Sequence, residues 1–137
     1  MTYELKIIDA PGGLQVKEHY RTLTGGTIEE IVLISTALPA TLITVEAYEL
    51  LSCEPLHPME KDLDFGLYYI PTIPNPKRGL IKGFTLDGKI WGDLPVVVCD
   101  CEIGYPNHII LGTDVLMKCQ TFSVDGVNVT IEAPDGG

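Results

Sequence analysis

Residues 31–51 read IVLISTALPATLITVEAYELL. Ile31 to Ile34 form an unbroken apolar run, as a strand buried on both faces would. Ser35-Thr36-Ala37 is a turn of small residues, and Leu38 to Ile43 returns to apolar character. Thr44 can then cap a short helix, because a threonine oxygen accepts an amide N–H of the first turn. In TVEAYELL, Val45, Tyr48 and Leu51 fall roughly on one face, with an acid in the first turn, where the helix dipole favours it. The stretch therefore predicts strand, turn and helix in that order.

A second stretch has the same form. HIILGTDVL, residues 108–116, is an apolar strand that enters a turn at Gly112 and leaves as a short helix with Thr113 or Asp114 near its N-cap. A glycine in such a turn lets the backbone pass close to another segment. Around these two units lie short strands set off by glycine and proline. YELKII and LQVKEHYRTL alternate, IEEIVLIST ends in the apolar run, and TGGT turns the chain between them. Residues 52–66 show no period and read as loop. IPNPKRG reads as a projecting loop that carries Lys77-Arg78, the adjacent basic pair. LDGK is a hairpin turn, LPVVVCDCEI a strand with Pro95 at its first position, and QTFSVDGVNVTIEA a hairpin about Asp125-Gly126. Many short strands with one or two short helices predict a mostly β fold, closed or folded over on itself.

At 137 residues the chain predicts one domain, 1–137, with a frayed tail at 134–137. A hydrophobic share of 45% supplies one core. The net charge of -10 repels phosphate backbones, so neither nucleic acid nor an anionic membrane is an expected partner. No apolar run has membrane-spanning length, and MTYELKIIDA has no leader pattern, which predicts a cytoplasmic location. Cys53, Cys99, Cys101 and Cys119 fit no CxxC pair, and the three histidines are scattered. Reduced structural thiols are expected, with no metal and no other cofactor.

IILGTDVL at 109–116, followed by TFSVDGVNVTI, resembles the C-terminal half of the retropepsin-like aspartic proteases, the single-domain relatives of retroviral protease. RGLIKGFTLDGKIWGDLPVVV resembles their flap's returning strand and the strands behind it. The order and spacing match over roughly residues 14–132. The resemblance implies a closed, barrel-like acid protease fold. It implies a flap near Tyr69, Lys77, Arg78, Gly79 and Leu80, structural roles for Gly112 and Asp114, with Asp114 capping the last helix, and a homodimer. The strand-like termini TYELKII and VNVTIEA can supply a dimer sheet or fold back on one chain.

The departure falls at the chemistry. LISTALPATLI aligns with the family's Leu-Val-Asp-Thr-Gly-Ala segment, so Ser35 stands at the acid's position and Ala37 at the glycine's, while Thr36 is kept. An aspartic protease needs two carboxylates about 3 Å apart sharing one proton, one ionised to activate water and one protonated to polarise the carbonyl. A one-domain member gives one acid per chain, so the serine removes both at once. Ser35 as a nucleophile would need a base, and His57 and His108 are the candidates, but no GxSxG elbow accompanies it. The expected function is a peptide-binding or dimerisation module that has lost proteolysis. The alternative is an endopeptidase with a non-standard site, or with its dyad completed by a partner chain.

Overall fold

The computed structural model describes residues 1–8, 13–67, 70–103 and 107–133. Its elements are β1 (Thr2–Ile7), β2 (Gln15–Arg21), β3 (Thr27–Ile34), β4 (Leu42–Thr44), α1 (Val45–Leu51), β5 (His57–Pro58), β6 (Lys77–Leu86), β7 (Lys89–Cys99), β8 (Ile109–Leu111), α2 (Thr113–Leu116), β9 (Thr121–Val124) and β10 (Asn128–Glu132). Tyr68, Tyr69, the tail at 134–137 and most of the turns expected at APGG and GYPN lie outside the described residues.

The strands form one sheet in the order β5-β6-β7-β4-β8-β3-β2-β1-β10-β9. The chain is mostly β, as expected, but the ladder is open, with β5 and β9 as its edges. Among the described residues the expected closed barrel is therefore not formed by hydrogen bonds. The sheet instead folds over on itself. Tyr3 on β1 meets Trp91 on β7 with ring centroids 5.3 Å apart, and Tyr20 on β2 stacks on Phe84 of β6 at 5.5 Å. Leu5, Val16, Val32, Leu86, Val98 and Val129 fill the space between the layers.

The local rules hold at the turns. The β6–β7 hairpin turns at Asp87 (φ 53°) and Gly88 (φ 68°), the positive-φ pair that matches strand twist. The β9–β10 turn is tied by Asp125, whose Oδ1 accepts the N–H groups of Val127 and Asn128, both at 2.7 Å. Thr44 caps α1, its Oγ1 accepting the Ala47 N–H at 3.4 Å.

Pro95 departs from expectation. It sits inside β7, paired with Leu80, and not at a strand start. The next N–H on its side, that of Val97, donates to Thr41 just before β4, and β4 pairs with β7 only from Val97 onward. The missing proline N–H thus lies on the side where β7 pairs with β4 only from Val97 onward, which is where a strand tolerates proline. Likewise Lys77-Arg78 opens a ten-residue strand and is not the tip of a loop.

The terminal strands β1 and β10 pair antiparallel within the chain, from Thr2 opposite Glu132 to Lys6 opposite Asn128. Of the two arrangements open to the termini, the chain adopts the folded-back one.

Candidate functional site: two interlocked turns

β3 and β8 run parallel and side by side, Ile34 level with Leu111. Their C-terminal ends deliver Ser35-Thr36-Ala37 and Gly112-Thr113-Asp114 to one place. The Ser35 N–H donates to the Leu111 carbonyl at 2.9 Å. Thr113 donates to the Leu38 carbonyl twice, from its N–H at 2.7 Å and from its hydroxyl at 3.0 Å. The Gly112 N–H donates to Thr41 Oγ1 at 3.3 Å.

Gly112 is set by this crossing. A Cβ there would lie 2.6 Å from the Ala40 carbonyl oxygen and 2.8 Å from that of Leu38. Its φ of -101° suits any residue, so close approach alone demands glycine. At the other turn Ala37 is exposed.

Asp114 does not cap α2. The N-cap is Gly112, without a side-chain cap bond. The Asp114 carboxylate crosses to the other turn, where Oδ2 accepts the Thr41 N–H at 3.1 Å and Oδ1 accepts the Thr41 hydroxyl at 2.8 Å. Oδ1 also takes the Val115 N–H at 2.9 Å. A carboxylate so committed fastens the two loops together.

Ser35 is buried, while Thr36 and Ala37 are exposed. The Ser35 Oγ accepts the Ala37 N–H at 3.3 Å, a local bond that closes the turn. The sequence candidates for a base stand elsewhere. His108 precedes β8, at the far end of that strand from the turn, and its Nδ1 lies 3.2 Å from Thr44 Oγ1. His57 is on edge strand β5, level with Arg78.

The expected flap residues are not at a free tip. Lys77, Arg78, Gly79 and Leu80 are paired with Val98, Val97, Val96 and Pro95. Leu80 is pinned by α1 and the residue after it: its N–H donates to Tyr48 Oη at 3.2 Å, and its carbonyl accepts the Ser52 hydroxyl at 2.6 Å. Tyr69 lies outside the described residues.

What lies over the turn-bearing strands includes the second half of the stretch 52–66, whose sequence reads as loop. Ile70 and Ile73 are buried against Leu33, Leu38, Leu42, Val97 and Ile110, and Met59, Leu63, Phe65 and Leu67 pack against the same cluster. Leu63 and Ile73 form an antiparallel bridge, and the Asn75 N–H donates to Asp62 Oδ1 at 3.1 Å. The signal was present in the alternation of Leu63, Phe65 and Leu67, a strand period across acids and glycine.

A cavity of about 320 Å³ lies at the far end of β8, lined by Glu46, Cys99, Cys101, Asn107 and His108 among others. Burial, with Cys101 as a neighbour, pushes the Cys99 thiol up to about 12, and burial raises Cys101 as well. Thiols held protonated are weak ligands and weak nucleophiles. Among the described residues no three His, Cys, Asp or Glu side chains are placed to hold a metal ion. Among them, too, no helix is long and apolar enough to cross a membrane.

No protein-family model and no curated protein matches the chain. Among solved structures it is similar to the crystal structure of a retropepsin-like aspartic protease from Rickettsia conorii, with a TM-score of 0.59 and 14% identity over 97% of this chain and 91% of that one. Two strand–turn units crossed at Gly112, at the heart of a folded β-sheet, thus make up a retropepsin-like fold.

Proposed function

We propose that this chain is a retropepsin-fold module that does not hydrolyse peptides and that holds an extended peptide or a second copy of itself. The observation that carries the reading is Ser35. A hydroxyl neither takes nor gives a proton readily near pH 7, so a pair of serines facing across a two-fold axis could hold a water without activating it. Asp114 offers no substitute, because Thr41 and Val115 occupy its carboxylate.

The sheet edges support the binding role. β5 is two residues long and ends in Pro58, which blunts it. β9 is four residues, Thr121-Phe122-Ser123-Val124, with no charge and no proline. An extended peptide can add to such an edge, and so can β9 of another copy across a two-fold axis. Met59, Leu63, Phe65, Leu67, Ile70 and Ile73 take the part of a flap, lying on the apolar face beside the Ser35 turn. An acidic chain of this kind has no use for nucleic acid or anionic lipid as partners.

The test is cleavage of a diverse peptide library, from acid to neutral pH, by the chain and by its Ser35→Asp/Ala37→Gly variant. The expected result is no turnover by the unaltered chain and acid-range turnover once the carboxylate is restored. Turnover by the unaltered chain, alone or mixed with an Asp-bearing partner chain, would overturn the reading in favour of a working endopeptidase.

A further inference from the structure

Glu18 is an acid turned into the core. On β2, Val16, Glu18 and Tyr20 face inward while Lys17 and His19 face out, and Glu18 is only 5% exposed. The tip of the β6–β7 hairpin covers it. The Asp87 N–H donates to Glu18 Oε2 at 3.2 Å. Two further bonds tie the tip to β1: Asp87 Oδ2 accepts the Glu4 N–H at 3.0 Å, and Lys89 Nζ donates to the Thr2 carbonyl at 2.7 Å.

The hairpin is jointed just below this tip. Its register shifts between Ile81 and Phe84 and again between Phe84 and Thr85. Gly83 (φ 64°) and Gly92 (φ 139°) occupy the same level in the left-handed region. Bulges of this kind bend a strand and weaken its local pairing.

The groups around Glu18 do not balance an ionised carboxylate. β1 brings Glu4 and Lys6, β2 brings Lys17, His19 and Tyr20, and the tip brings Asp87 and Lys89. Glu30 of β3 stands opposite Glu18 in the register. Lys17 is engaged with Glu29 at 3.2 Å and Lys89 with Asp87 at 3.5 Å. Among the described residues no cation comes within ion-pair distance of Glu18.

We propose that the β6–β7 hairpin tip is a proton-operated latch: it docks on β1 and β2 while Glu18 is protonated and lifts to hydrate the carboxylate when Glu18 ionises. Burial, opposed by the Asp87 N–H and reinforced by the Asp87 carboxylate, pushes the Glu18 carboxyl from 4.5 up to about 7. Once the tip lifts, water solvates the group and its ordinary value returns. Linkage then requires tip opening to become more favourable as pH climbs between those two values and to level off above. The limit set by the difference is on the order of 100-fold in the opening equilibrium.

Trp91, the single tryptophan, lies in the jointed part of the hairpin, buried against Tyr3. It reports the latch directly. The experiment measures acrylamide quenching of Trp91 and amide hydrogen exchange at 84–92, corrected for intrinsic rate, from pH 5 to 8.5. The expected result is a rise in quenching and in tip exchange that is complete by about pH 7 to 7.5, with β3 and β8 amides unchanged. Glu18→Gln, which cannot ionise, should leave the tip protected at every pH. Asp87→Asn, a second variant that removes the facing charge, should move the rise to lower pH. A tip that stays protected throughout in the unaltered chain would overturn the proposal. So would an unchanged pH response in Glu18→Gln, or equal loss of protection in β3 and β8.

Discussion

Asp114 on α2 and Thr41, 73 positions earlier, are joined by two hydrogen bonds, one to the backbone and one to the hydroxyl. Thr41 is fully buried, so the bond is shielded from water. Removing the carboxylate orphans a buried N–H and a buried hydroxyl together. Asp114→Ala should destabilise the fold by about 2–4 kcal/mol, and Asp114→Asn, which keeps one acceptor, by less. Urea denaturation of both, combined with Thr41→Val in a double-mutant cycle, checks this; additive losses would show that the pair is not coupled.

Two glycines are held by contact rather than by φ, and they differ in what they meet. At Gly112 a Cβ meets backbone carbonyls; at Gly79 it meets the Tyr48 ring at 2.5 Å. A ring can shift, whereas two crossed backbones cannot without parting the turns. Gly112→Ala should therefore cost more than Gly79→Ala, with the latter in the range of about 1–3 kcal/mol typical of overpacking. Thermal denaturation of the two variants decides it, and an equal or reversed order would contradict the crossing geometry.

The raised Glu18 carboxyl makes a prediction about the whole fold. The folded chain holds that proton up to about pH 7, and the unfolded chain releases it near 4.5. The folded state then binds more protons, so stability falls as pH rises between those values and is level above. The loss is at most about 3 kcal/mol. Glu30, also raised by burial, works in the same direction. Urea midpoints at pH 5 and pH 8 should fall in that order, and Glu18→Gln should remove most of the difference.

The Tyr20 hydroxyl is buried without a hydrogen-bond partner among the described residues. Burial raises its pKa, and the Glu18 and Glu30 charges add to the rise. Such a hydroxyl contributes a desolvation cost without the bond that offsets it. Tyr20→Phe keeps the stack on Phe84 and deletes the orphan group, so it should be neutral or stabilise by about 1 kcal/mol. A clear loss in calorimetry would show that the hydroxyl is used.

Strand positions and turns were legible because their signals are local. Asp87-Gly88 and Asp125-Gly126 specify hairpins through backbone conformation, and Thr44 specifies a helix start. Pairing partners were not, because no local signal says that β1 meets β10 or that β4 meets β7. The resemblance to the family implies that Asp114 is a helix cap, a role aspartate often takes; its real partner, Thr41, is far away in sequence. Lys77 to Leu80 were placed at a flap by likeness of order, yet they pair with β7, and Tyr48 and Ser52 hold Leu80. Ser35 stands out by alignment with the family's acid alone, and the coordinates add its burial and its bond to the Ala37 N–H.

The pairing of β1 with β10 carries a consequence for how the molecule is made. The Met1 ammonium and the Ala133 carbonyl, 132 positions apart, are 2.7 Å from each other. During synthesis β1 emerges well before β10, the strand that covers its outer edge. Until then the nascent chain presents an open β edge to its surroundings, and closing so large a loop is slow. The same contact that seals the finished sheet leaves β1 uncovered on that side until β10 has been made.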